Sequence, residues 1–229
     1  TEVDLKIYRP EDNDIIEVTI TRAMFDIPNL ISDIFEEDIG YIQYFGFQDR
    51  GAQKLDKEIQ KLIDMGSRGL ILDLRNNPGG VLDDAVEVCD LFLDEGIIVS
   101  IKGRAENKER TDEYLACKGK YAEIPLVVLI NEFSASASEL VAGALRDNDR
   151  AKLIGERSFG KGTVQVIYEL SDGSGLKFTT AKYYLPSGLS PDGVGIEPDI
   201  TVGLGPDSTE DLQLNEAVKE IKSLISEIE

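Results

Sequence analysis

Three short runs hold the residue types that could do covalent chemistry. The first is Ser-Ala-Ser-Ala-Ser at 134–138, three hydroxyls separated only by alanine and followed by Glu139. Small neighbours leave room for a substrate, and a serine at a helix start lies beside unsatisfied backbone N–H groups. Ser136 with Glu139 three residues on is equally a capping box, in which the hydroxyl merely starts a helix. The second run is Asn-Pro-Gly-Gly at 77–80. Gly79 and Gly80 let backbone approach a ligand closely and present N–H groups to an anion, as an oxyanion hole requires. A tight strand-to-helix turn explains the same residues, and the glycine spacing fits neither a dinucleotide fingerprint nor a phosphate loop.

The third run is Phe-Gly-Lys-Gly-Thr-Val-Gln at 159–165. Two glycines bare Lys161 to approach from either side, and no acidic residue falls between Ser158 and Tyr168. A lysine base must work at a pKa of roughly 7–8 against an ordinary value near 10.4; burial favours that and an adjacent carboxylate defeats it. The plain alternative is a solvated loop lysine. Together the three runs supply a nucleophile, backbone donors and a base, the parts of a serine-lysine hydrolase.

Composition narrows the chemistry further. The 229 residues include no histidine, which excludes a Ser-His-Asp triad, a Cys-His pair and a histidine-bound zinc. No metal or other cofactor is called for. With 24 basic against 44 acidic residues the net charge is -20, a field that repels phosphate backbones and anionic lipid and favours neutral or cationic substrates. Cys89 and Cys117 lack CxxC spacing, and Cys89 reads as a small buried hydrophobe. No run reaches the roughly 18 apolar residues of a membrane span. A chain that starts at Thr1 reads as a processed form or an excised piece, with any targeting segment outside it.

The elements that must position these runs follow from periodicity. Alternation over 3–9 and 15–22 around a polar cluster at 10–14 predicts a hairpin. Leu30, Ile31, Ile34 and Phe35 at helical spacing predict a helix over 28–38, followed by a strand over 41–47 and a helix over about 51–65. The apolar runs at 69–75 and 125–130 read as strands buried on both faces of a parallel sheet. Helices follow them at 82–93 and up to Asp147, and residues 97–102 give another strand. The charged stretch 103–113 reads as a surface loop. Strands are expected at 152–155, 164–170 and 176–185, the last two forming a hairpin, and an amphipathic helix closes the chain over 209–228. If 160–168 is extended, Lys161 and Gln165 share a face. The alternation over 41–155 argues for an α/β core with a mixed, largely parallel sheet.

The runs at 69–80, 131–139 and 158–165 closely resemble the carboxyl-terminal processing peptidases, or tail-specific proteases. Pro-Ser-Gly at 186–188 and Gly-Ile-Glu-Pro-Asp-Ile at 195–200 match that family's later segments, so the resemblance spans roughly 15–227 in order. It implies a crotonase/ClpP-like α/β core over 23–229, with 1–22 as the last hairpin of a truncated PDZ domain. It also implies Ser136 as nucleophile, Lys161 as base, Gln165 orienting that lysine, and an oxyanion hole from Gly79 or Gly80 and Ala137. Ser134 and Ser138 then shape the loop and cap the helix. Protein or peptide substrates with unstructured carboxyl termini follow, as does a bacterial extracytoplasmic setting, and the family leaves room for a homo-oligomer. Two rival readings are a silent scaffold of the same fold and a crotonase-type acyl-CoA enzyme, which lacks its catalytic carboxylates here. An active dyad should bring the Lys161 amine within about 3 Å of the Ser136 hydroxyl. Without an imidazole, activity should climb from neutral toward alkaline pH.

Overall fold

The computed structural model describes residues 1–23, 28–36, 38–105, 108–203 and 210–228. The chain opens with a two-stranded antiparallel hairpin, β1 (Glu2–Arg9) and β2 (Asp14–Thr21), which is a sheet of its own. Then come β3 (Leu30–Phe35), β4 (Ile39–Tyr44), α1 (Gly51–Asp64), β5 (Gly69–Asp73), α2 (Leu82–Phe92), β6 (Ile97–Ala105) and β7 (Lys108–Leu115). The second half holds β8 (Leu126–Ile130), α3 (Ala137–Asp147), β9 (Lys152–Gly155), β10 (Thr163–Glu169), β11 (Gly175–Tyr184), β12 (Ile200–Thr201) and α4 (Leu212–Ser226). Six strands form the central sheet in the order β12-β9-β8-β5-β4-β3, parallel throughout except for β3 at its edge. Four others form an antiparallel sheet in the order β10-β11-β6-β7.

Period two decides which side of the central sheet each residue serves. Leu70, Leu72, Leu126, Val128 and Ile130 face the cluster built on α1, α2 and α3. Ile71, Val127, Leu129 and Ile154 face the other way, against Ala217, Ile221 and Ile225 of α4. Because both faces are covered, β5 and β8 are buried at every position, as their unbroken apolar runs predict. Each such side chain contributes roughly 1.5–3 kcal/mol by leaving water. Tyr183 and Leu185, from and just after β11, together with Ile98 and Val99 of β6, join the first cluster and so seat the second sheet against the helical layer.

Two expected elements differ. Residues 28–38 were expected to be helical; β3 occupies 30–35 and pairs antiparallel with β4, with residue 37 outside the described residues. Positions four apart share a face in a strand as well as in a helix, so Leu30 and Ile34 fit both periods. The stretch 103–113 was expected to be a loop, yet its described residues belong to β6 and β7. Those two strands form a hairpin with β7 at the sheet edge, where the exposed Asp112 and Glu113 suit a strand with one open edge. The 97–102 strand accordingly lies in the second sheet and not in the parallel one. The short β12 had no sequence signal.

Candidate active site

All three runs arrive at the carboxyl ends of central strands, where parallel α/β sheets collect ligands. Residues 76–81 leave β5, residues 131–136 leave β8, and residues 156–162 leave β9 on the way to β10. Ser136 is the N-cap of α3, with φ 57° and ψ -113°. This is a conformation that costs a non-glycine residue about 1–3 kcal/mol and thrusts the side chain out at a sharp strand-to-helix corner. Three contacts hold it there. Glu139 Oε2 accepts the Ser136 N–H at 2.8 Å, Tyr183 donates its hydroxyl to the Ser136 carbonyl at 3.0 Å, and Gly79 packs beneath. A Cβ added to Gly79 would lie 2.6 Å from the Ala135 carbonyl and 2.9 Å from Ser136 Cβ. Burial, with the charges of Glu139 and Asp192 behind it, pushes the Tyr183 phenol far above its ordinary pKa and keeps it a neutral donor.

The two flanking serines stay structural. Ser134 accepts the Asn131 N–H at 2.9 Å and donates to the Leu74 carbonyl at 2.8 Å, while Ser138 donates to the Asn77 carbonyl at 2.8 Å. Both are fully buried and stitch the 131–138 loop to the end of β5.

Glu139 carries more than a cap. It has no exposed surface and accepts four hydrogen bonds from the two catalytic-type segments. Oε1 takes the Ser158 hydroxyl at 2.6 Å and the Gly160 N–H at 2.7 Å; Oε2 takes the N–H groups of Ser136 and Lys161, each at 2.8 Å. One carboxylate oxygen thus joins the backbone of the serine to that of the lysine. The sequence pattern points only to a capping box, and this bridge to a segment 22 residues away has no sequence signal. A carboxylate does stand near Lys161, but its lone pairs are occupied by backbone and hydroxyl donors.

The glycines beside Lys161 serve the fold in a different way from baring the lysine. Gly160 has φ +92°, and a Cβ there would meet the Gly195 nitrogen at 2.9 Å; one on Gly162 would meet the Asp192 nitrogen at 2.6 Å. They let the 190–195 loop lie directly against the lysine segment, fixed by a hydrogen bond from Gly193 to the Gly160 carbonyl at 2.9 Å.

Ser136, Ala137, Lys161, Gln165, Gly80 and Tyr183 line one cavity of about 390 Å³. Gln165 follows a register shift between Val164 and Gln165, so simple alternation from Lys161 does not apply, yet both side chains reach the same space. Among the described residues, Ser136 Oγ, Lys161 Nζ and the Gln165 amide share this cavity without hydrogen bonds to one another. The dyad contact expected from sequence is therefore open in this state; such contacts often tighten only around a substrate.

The backbone donors sort themselves by what else they bind. The Gly79 N–H is donated to Asn77 Oδ1 at 2.9 Å. Gly80 forms a parallel bridge with Phe47 in which the flanking Gly79 carbonyl and Val81 N–H make the hydrogen bonds, at 3.1 and 3.0 Å. That leaves the Gly80 N–H directed away from Phe47. Ala137, the first helical residue of α3, holds one of the N–H groups that a helix start leaves without an intrahelical partner.

Directly before this turn, Arg75 anchors the end of β5. Its guanidinium donates to Asp73 at 2.6 and 3.0 Å, to Asp211 at 2.8 Å and to Gln213 at 3.1 Å. Burial alone works against the charge, but the bonds from Asp73 and Asp211 outweigh it and raise the pKa. Tyr41 adds a hydrogen bond to Asp73 at 2.7 Å.

The fold is a three-layer α/β one with a serine at a strained helix corner beside a glycine-bearing turn, and the class of protein it belongs to follows from its relatives. Residues 38–202 match the model of peptidase family S41, and the chain belongs to that family. It is 46% identical over 204 residues to the carboxy-terminal-processing protease of Bartonella bacilliformis, covering 82% of this chain and 46% of that protein. To the carboxy-terminal processing protease CtpA of Bacillus subtilis it is 36% identical over 205 residues, covering 89% and 43%. Among solved structures, a photosystem II D1 C-terminal processing protease superposes with a TM-score of 0.69 at 32% identity, covering 89% of this chain and 56% of that one. The chain thus spans about half the length of the curated relatives it matches. Among the described residues no helix is long and apolar enough to cross a membrane.

Proposed function

We propose that the chain is the catalytic core of a carboxyl-terminal processing endopeptidase that works through an acyl-enzyme. The observation that carries this reading is the sharing of one cavity by Ser136, Lys161, Gln165 and the N–H groups of Gly80 and Ala137. Neutral Lys161 takes the Ser136 proton as the oxygen attacks a peptide carbonyl, and Gln165 orients the amine. Gly80 and Ala137 hold the oxyanion, the role for which Gly79, already bonded to Asn77, is not free. Lys161 then returns the proton to the leaving amine, and water repeats the cycle on the ester. Substrate binding closes the gap between Lys161 and Ser136. Protein tails without stable structure are the substrates on this reading, which follows from the resemblance to carboxyl-terminal processing peptidases. Residues 1–22 are assigned to the end of a PDZ-type module and 23–229 to the core, and an extracytoplasmic setting in a bacterium is proposed, both on sequence resemblance.

The test is cleavage of an unstructured peptide with an apolar carboxyl terminus by the wild type, Ser136→Ala and Lys161→Ala. Each variant should lose at least about 10³-fold in kcat/KM while keeping the wild-type Tm. Undiminished cleavage by either variant overturns the dyad.

A further inference from the structure

The cavity wall beyond the dyad is built by the β10–β11 hairpin, and it carries a second cation. Lys177 lies on β11 directly opposite Ile167 of β10, and both line the cavity with Gln165. Strand β11 pairs with β6 only from Ala181 onward, so this part of the hairpin is an arm extending past the four-stranded sheet. Strand β10 is the outer strand of that sheet, with a free backbone edge.

Lys177 is exposed, and among the described residues it makes no ion pair or hydrogen bond. Glu169, a diagonal neighbour across the hairpin, does not pair with it. In a chain with 44 acidic residues many described cations are neutralised; Lys182, five residues along the same strand, is bound to Asp192 at 2.7 Å. No acidic side chain lines the cavity. A net charge of -20 repels an anionic substrate from the molecule as a whole, but Lys177 gives this wall of the cavity a local positive charge.

We propose that Lys177 is a substrate subsite that binds a carboxylate of the peptide being cut. This rests on the acyl-transfer reading of the same cavity. From Thr163, where β10 begins, to Ile167 the strand advances four residues, about 13 Å at strand rise. A peptide lying extended beside β10 therefore carries the bound carboxylate about four to six residues from the scissile bond once the reach of the two lysines is allowed for. The carboxylate comes either from the chain terminus or from an Asp or Glu side chain at that spacing.

Three peptides separate the sources: a free carboxyl terminus about five residues from the cut, its amide, and the amide with a Glu placed at the same spacing. Wild-type kcat/KM should fall about tenfold on amidation, mostly through KM, as the loss of one charge-assisted hydrogen bond predicts. Lys177→Ala should lose the same factor on the free acid and nothing further on the amide, while Lys177→Arg keeps the preference. If amidation is silent but the Glu-bearing amide is cut about tenfold faster than the plain amide, and Lys177→Ala abolishes that gain, the side chain is the source and the subsite stands. If Lys177→Ala cleaves all three like the wild type, the subsite is refuted. Anisotropy of labelled peptide on Ser136→Ala protein, with and without Lys177→Ala, reads the same contrast in Kd. It does so without turnover, so a failed dyad and a failed anchor give different results.

Discussion

Replacing Glu139 by Gln tests whether one carboxylate aligns serine and lysine. The amide offers a single accepting oxygen where the carboxylate offered two. Its less costly orientation points the NH2 toward Ser158, whose hydroxyl can turn to accept, and leaves the Gly160 N–H buried without a partner, a loss of about 1–3 kcal/mol. The Ser136 and Lys161 N–H groups keep an acceptor but lose its charge, roughly 0.5–1.5 kcal/mol each. The total is about 2–6 kcal/mol, which lowers Tm by roughly 5–20 °C in a chain of this size. Misplacing either reacting group by about 1 Å costs on the order of 10²-fold in rate. Thermal denaturation followed by circular dichroism, and peptide cleavage well below the variant's Tm, measure the two effects separately. Glu139→Asp, which keeps the charge, should recover part of kcat. A variant with lowered Tm and wild-type kcat would mean that the carboxylate only stabilises; wild-type values of both would refute the four-bond bridge.

Three further perturbations follow from the same geometry. Gly80→Ala places a Cβ 2.0 Å from the Phe47 carbonyl at φ +150°, so the turn must shift and kcat should fall at least about tenfold; unchanged kcat would remove Gly80 from the oxyanion hole. Arg75→Ala leaves Asp73 buried and unpaired and should cost about 3–5 kcal/mol in urea unfolding, whereas Arg75→Met with Asp73→Leu should recover much of it. Asp211 sets an acid limb. Burial pulls its carboxyl up, but the Arg75 guanidinium and the Leu214 N–H outweigh that and hold its pKa below the ordinary value. Its contribution is complete above an unfolded value near 3.9 and is lost as pH falls through the lower folded value. The Tm gap between wild type and Asp211→Asn should therefore shrink only below about pH 4; a gap independent of pH would exclude the charge.

Sequence periodicity reads most reliably where burial is total. Strands β5 and β8, covered on both faces, show as unbroken apolar runs, and the glycine and serine runs stand out because each closes such a strand. Leu30 and Ile34 mislead because a spacing of four satisfies both periods, and β7 is disguised by the charges that an edge strand tolerates. The choice between Gly79 and Gly80 depends on where Asn77 places its amide oxygen, which is a tertiary matter. Likewise the left-handed backbone of Ser136 is imposed by Tyr183, Gly79 and Glu139, and serine itself gives no sign of it.

The ties from Arg75 to Asp211 and Gln213 cross 136 and 138 residues of chain. They make the cavity around Ser136 and the Gly80 turn a late product of folding. Contacts of that sequence separation carry a large loop-closure entropy and form slowly. Until α4 docks, the guanidinium at the end of β5 lacks two of its partners, and the turn that carries the Gly80 N–H has an unsettled base. On the ribosome, a chain made as far as β11 already contains Ser136, Lys161 and Gln165 but not residues 211–213. The order of synthesis thus leaves the base of the Gly80 turn without two of its ties in a partly made chain until α4 has emerged.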